Sequence, residues 1–138
     1  MSKQSHYIFL GGAENLKYWE DERLKNHQWF WSANKHVRPG DIGYIYLSAP
    51  LSRIVGEVDI VGQPFFHVGK TMFSNPHMSD KWVVEVANPR YYGERLDLTM
   101  KNLRSLFAVD WGWLRYPRGN TRVPDHILPA LQELIKGK

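Results

Sequence analysis

Hydrophobic positions along this chain switch between a period of two and a period near 3.6, and the switches set out its elements. The run His6–Leu10 is apolar and rich in β-formers, and Gly11-Gly12 ends it, which predicts a first strand. Ala13 to about Lys25 contains good helix formers and no breaker, so a short helix is expected, with Leu16, Trp19 and Leu24 turned inward. Gln28–Ser32 reads as a second strand, and Asn34–Val37 as a helical turn. Arg38-Pro39-Gly40-Asp41 has the chemistry of a tight turn. Proline fixes φ at its second position, and glycine accepts positive φ at its third.

The strand Ile42–Ser48 then places Ile42, Tyr44 and Tyr46 on one face and Ile45 and Leu47 on the other. After a loop around Pro50, Ile54–Val61 is its hairpin partner. Gly43 and Gly56 lie inside these strands, where a missing side chain marks a bulge or a close approach. Gly62–Asp80 is expected to be a long loop, unusual for its three Phe and two Met. Lys81–Ala87 is a strand stopped by Asn88-Pro89. Thr99 is an N-cap for a helix through Phe107, with Leu98 and Leu103 as its hydrophobic staple. Trp111–Tyr116 and Gly119–Val123 are short extended pieces. A helix over about 125–136 closes the chain, with Asp125 as cap and Pro129 distorting its first turn. Strand–helix, several strands, helix, strand, helix is the order of an α+β fold, with a curved, mostly antiparallel sheet or open β-barrel and flanking helices.

Composition narrows the function. The 138 residues suit a single domain spanning 1–138, and no cysteine is present to form a disulfide or a thiolate metal site. No signal-peptide core or membrane-length apolar run is visible, so a cytoplasmic protein without membrane contact is expected. The net charge is +4, and all of the excess lies in the second half: residues 70–138 carry eleven Lys/Arg against seven Asp/Glu. Arg90, Arg95, Lys101, Arg104, Arg115, Arg118 and Arg122 supply most of it. Aromatic residues are 14% of the chain, with six tryptophans. Basicity joined to aromatic richness fits a nucleic-acid binder, although six tryptophans can equally serve a core.

The patterns of catalysis are weak by comparison. The six histidines show no pair at three-to-five residue spacing, so neither a metal nor a cofactor is expected. Gly11-Gly12 sits between a strand and a helix, where an anion can meet backbone N–H groups, but the Walker lysine and the GxGxxG spacing are both absent. Glu20-Asp21-Glu22 point in different directions on a helix and read as a solvated face. No G-x-S-x-G turn exists. The aromatic constellation is stronger. Trp29 and Trp31 share a strand face, Trp111 and Trp113 repeat the spacing, and Trp19 and Trp82 stand alone. Indole walls stack on planar bases, and a reader of one extruded base also needs polar groups for its edge. Ser32 and Asn34 follow the first tryptophan pair directly, and an Asn side chain both donates and accepts.

Three stretches together carry a resemblance: YIFLGGAENL, WFWSANKHVRPGDIGYIYLS and IVGEVDIVG. With the tail RGNTRV, Pro124 and a final amphipathic helix, they resemble the EVE domain of the PUA-like superfamily, a relative of YTH and ASCH domains. The similarity is diffuse and spans nearly the whole chain. It implies a PUA-like fold and a pocket that holds a modified base everted from DNA or RNA. By position, Trp31 matches the first cage-type tryptophan, with Ser32 and Asn34 beside it. Trp82 or Trp113 would close the other side, and Asn120 and Thr121 occupy the polar position before the last helix. Two departures leave base preference open. Gly-Gly-Ala-Glu replaces a Lys-Ser-Glu-Pro-like run, and Trp-Phe-Trp-Ser-Ala-Asn replaces Trp-Asp-Gly-Val-Arg-Asn.

The expectation is therefore a non-catalytic module that binds a modified or flipped base through Trp29, Trp31, Ser32, Asn34, Trp82, Trp113, Asn120 and Thr121. Lys70, Arg115, Arg118 and Arg122 are the candidates for phosphate contacts. The alternatives are an ASCH-like hydrolase of small modified nucleosides and a protein-interaction module. Service within a larger restriction or modification system is left open.

Overall fold

The computed structural model describes residues 4–13, 16, 17, 19, 29–33, 35–67, 81–117 and 120–137. Seven strands form one mixed sheet: β1 (His6–Gly11), β2 (Trp29–Ser32), β3 (Ile42–Leu47), β4 (Arg53–Ile60), β5 (Phe65–His67), β6 (Lys81–Tyr91) and β7 (Thr121–Arg122). Helices with defined bounds among the described residues are α1 (Met100–Phe107) and α2 (Leu128–Lys136). The strand order is β2-β6-β4-β3-β1-β7, with β5 pairing β6 beyond the end of β4. Only β1 and β3 run parallel; the other pairs are antiparallel, and the sheet curls into a half-barrel. This is an α+β fold of the kind the element order predicts.

Both sheet faces are covered, as the alternation along β3 requires. Ile45 and Leu47 join Phe9, Trp19, Trp31, Val55, Val58, Val84 and Val86 on one face. Tyr44 and Tyr46 join Ile8, Ile54, Leu103, Phe107 and Leu131 on the face that carries the helices. The glycine argument holds at both positions. A Cβ on Gly43 would stand 2.5 Å from the Phe9 ring, and one on Gly56 would overlap the Trp19 ring and the Arg90 carbonyl. Gly56 is thus the gap that admits Trp19, a fully buried residue that is helical like Leu16 and Lys17. The rest of the helix expected to about Lys25, including Leu24, lies largely outside the described residues.

The Pro39-Gly40 turn closes with Asp41 N donating to the Arg38 carbonyl at 3.0 Å, and Gly40 takes φ +96°. The sequence did not announce the second role of Asp41. Its buried carboxylate accepts from the backbone N–H of Ser5 and of Arg38, both at 3.0 Å, and so anchors the chain entering β1. Thr99 caps α1 as expected, accepting from Asn102 N, and Leu98 and Leu103 are both buried.

Four expectations change. The loop foreseen over Gly62–Asp80 contains β5; its remainder from 68 lies outside the described residues. β6 does not stop at Asn88-Pro89 but continues to Tyr91. Ala87 pairs Asp59 and Arg90 pairs Glu57, so two residues of β6 stand against one of β4. Such a bulge takes the proline without costing a ladder bond and accommodates Asn88 at φ 53°. Gly112–Leu114 form a 3-10 turn rather than a strand. In a strand, Trp111 and Leu114 would face opposite ways, whereas the turn brings both into the helix-side core. Finally, α2 begins at Leu128, after a turn in which Ile127 N and Leu128 N both bond to the Pro124 carbonyl. Asp125 pairs with Arg122 instead of capping, and Pro129 falls in the first helical turn, where its absent N–H costs nothing.

Among the described residues, no helix is long and apolar enough to cross a membrane, and no group of three or more His, Asp or Glu is placed to hold a metal.

Candidate nucleic-acid interface

In this sheet β2 is one edge, while β1 and β7 form the other. Curling brings the ends of these edges together, and Asn120 joins them. Its Oδ1 accepts from Leu10 N at 2.7 Å, and its Nδ2 donates to the Ser32 carbonyl at 3.4 Å. One amide thus spans partners 110 and 88 positions away. The neighbouring backbone is fixed as well: Ala33 N donates to the Trp82 carbonyl at 2.8 Å, and Ser48 N to the Gly11 carbonyl at 2.9 Å. The seam therefore gathers the glycine turn after β1, the end of β2, the start of β6 and the entry to β7.

The residues singled out from the sequence divide clearly. Ser32, Asn120 and the backbone of Trp82 meet at the seam, and Thr121 follows as the β7 partner of Ile8. Trp31 pairs Val84 and is only 1% exposed, its ring edge-on to Trp19 with centroids 6.2 Å apart. Its indole belongs to the core beneath Ser32. Trp82, in contrast, is 39% exposed and stands edge-on to Phe66, itself 48% exposed, at 5.9 Å. Phe30 of β2 and Phe65 of β5, on the two strands that flank β6, make a second edge-on pair at 6.0 Å. The contribution of β5 was hidden inside an apparent loop; its two consecutive phenylalanines were the available signal. Trp113 packs against the helix-side core, stacked on Trp111 at 5.7 Å and edge-on at 6.4 Å to Tyr46, the β3 partner of Leu10. Trp29 lies in β2 opposite Val86. Asn34 lies outside the described residues.

Among the described residues, several basic side chains are engaged internally. Arg90 bonds to Glu57 and, at 2.9 Å, to Asp59. Arg95 pairs with Asp97 at 2.6 Å and donates to the carbonyls of Leu134 and Ile135, closing the C-terminal end of α2. Arg104 donates to the Leu114 carbonyl at 2.7 Å. Of the phosphate candidates, Arg122 is paired with Asp125 at 2.9 Å and Arg115 is exposed. Lys70 and Arg118 lie outside the described residues.

No protein-family model and no curated protein matches the sequence. Solved structures do match in fold. The human THYN1 protein, in complex with 5-methylcytosine-containing DNA, superimposes with TM-score 0.64 at 15% identity, over 98% of this chain and 99% of that one. A protein from Pseudomonas syringae gives TM-score 0.70 at 14% identity, over 94% and 99%. The ASCH protein from Zymomonas mobilis gives 0.59 at 11%, over 94% of each chain. Agreement over nearly the full length, at identities this low, is agreement in architecture, and this chain has the PUA-like fold of the EVE and ASCH proteins.

Proposed function

We propose that this chain binds nucleic acid and reads one modified or everted nucleobase at the seam, without catalysis. The observation that carries the reading is the convergence of Asn120, Ser32 and the Trp82 backbone where the two sheet edges meet. A base held there would meet an amide, a hydroxyl and backbone groups suited to its hydrogen-bonding edge. The half-exposed indole of Trp82 and the ring of Phe66 offer the adjoining stacking surface, whereas Trp31 supports the floor from within the core. Arg115, with Lys70 and Arg118, would supply phosphate contacts that set affinity and its salt dependence rather than base choice. The shared fold with a protein solved on methylated DNA agrees with this reading. DNA or RNA carrying a modified base is the partner it implies.

Fluorescence anisotropy against matched oligonucleotides, single- and double-stranded, plain or carrying 5-methylcytosine or N6-methyladenine, tests it at two salt concentrations. At least one modified strand should bind more tightly than its plain counterpart, and Trp82→Ala should weaken binding about 5- to 150-fold, the worth of one stacked base. Equal affinity for every modified and plain pair would sink the reading. Turnover of free modified nucleosides by the same preparation would favour the hydrolase instead.

A further inference from the structure

The helix-bearing face of the sheet holds a second polar cleft, which shares no residue with the seam. It is a cavity of about 360 Å³ between β1, β3 and β4 on one side and α2 on the other. That lies in the range of small-molecule sites, about 300–1,000 Å³. Its polar lining is His6, Tyr44, Glu57 and Gln132, and its apolar walls are Ile42 from the sheet and Ile135 from the helix.

Two of these polar groups are deeply buried, His6 at 7% exposed and Tyr44 at 2%. They are held together by a bond of 2.9 Å between His6 Nδ1 and the Tyr44 hydroxyl. Burial disfavours the charged form of each, keeping the imidazole neutral and the phenol protonated. The Tyr44 hydroxyl engages Nδ1, so Nε2 is the ring nitrogen left to meet a ligand. Glu57 supplies the acceptor. Its carboxylate is fixed by the Tyr92 hydroxyl on one oxygen and by Arg90 on the other. Arg90 bridges onward to Asp59, and Lys136 at the cleft wall pairs with Glu133 at 3.9 Å, so three carboxylates face two cations. The site has no excess of positive charge, a positioned ring nitrogen, a fixed acceptor, the amide of Gln132, and two aliphatic side chains on opposing elements.

We propose that this cleft is a second ligand site, for a free neutral heterocycle with adjoining donor and acceptor groups: a nucleobase or its nucleoside. The isoleucines sandwich the ring, Glu57 accepts a ring or exocyclic N–H, and His6 Nε2 meets the adjoining polar group. The carboxylate excess selects against phosphorylated forms, which would bring an unpaired negative charge to Glu57. The inference is independent of base reading at the seam, since no residue is shared.

NMR of the full chain, titrated with adenosine, cytidine and 5-methylcytidine, tests it, with ribose 5-phosphate as the control. One nucleoside should give saturable shifts in the His6 ring and in the methyl groups of Ile42 and Ile135, while ribose 5-phosphate gives none. Glu57→Gln should weaken that binding at least about tenfold, as loss of a hydrogen bond to a charged acceptor does. Gln132→Trp, made on the exposed side of α2 to fill the cleft, should remove it; this variant decides the matter should Glu57→Gln fail to fold. Both should leave oligonucleotide binding unchanged. Absence of saturable shifts up to about 10 mM nucleoside, weaker than any useful millimolar site, overturns the proposal. So do shifts that persist in Gln132→Trp.

Discussion

Replacing Asn120 by alanine tests whether the seam is held as described. The substitution removes the acceptor of Leu10 N–H at 2.7 Å and the donor to the Ser32 carbonyl at 3.4 Å. The second bond is long and contributes little. The first is short, and its loss leaves a partly buried backbone donor unsatisfied, which costs about 1–3 kcal/mol. Unfolding entropy near 2.1 cal/mol/K per residue over 138 residues lowers the melting temperature by about 3.5 °C for each kcal/mol. The expected drop is therefore about 3–10 °C, read by differential scanning calorimetry. Asn120→Asp separates stability from recognition. Its carboxylate still accepts from Leu10 N, so the melting temperature should recover in large part. It can no longer donate to a base edge, and discrimination between modified and plain oligonucleotides should be lost in both variants. A melting temperature within about 1 °C of wild type for Asn120→Ala would refute the idea that this amide closes the seam.

Gly56→Ala forces a methyl group into the Trp19 ring and the Arg90 carbonyl and should cost about 1–3 kcal/mol or more by chemical denaturation, while Gly112→Ala, with open space around it, should stay within about 0.5 kcal/mol. Arg115→Ala should reduce the slope of log K against log salt by about 0.9 with stability unchanged; an unaltered slope removes Arg115 from the interface. Burial lowers the proton affinity of His6, so below its ordinary pKa of 6.5 the unfolded chain binds more protons than the folded one. Stability contributed by neutral His6 is complete above that value and is lost as pH falls from it toward the lowered folded pKa. Denaturant midpoints should decline over that window, and His6→Gln should shrink the decline.

The sequence by itself determined the elements whose signals are local. The Pro39-Gly40 turn, the two-sided alternation of β3, the Thr99 cap with its Leu98–Leu103 staple and the close-approach glycines all depend on backbone sterics or on neighbours a few residues away. The PUA-like resemblance, resting on the order of such segments, pointed to the same architecture. Tertiary structure decided what depends on distant partners. The passage of β6 through Asn88-Pro89 is possible because the opposing strand offers one residue where β6 spends two, which no local pattern encodes. Asp41, between a turn and a strand, proved to be a buried anchor for Ser5 and Arg38. The tryptophans illustrate the limit best. Period-two spacing marks Trp31 as facing one side, but only the packing of Trp19 through the Gly56 gap makes that side core, while Trp82 presents an indole at the surface. Asn120 was legible as a polar residue in the right place. Its function as a tie across 110 positions exists only once the sheet curls and its two edges meet, because curvature is a property of the whole sheet and not of any strand in it.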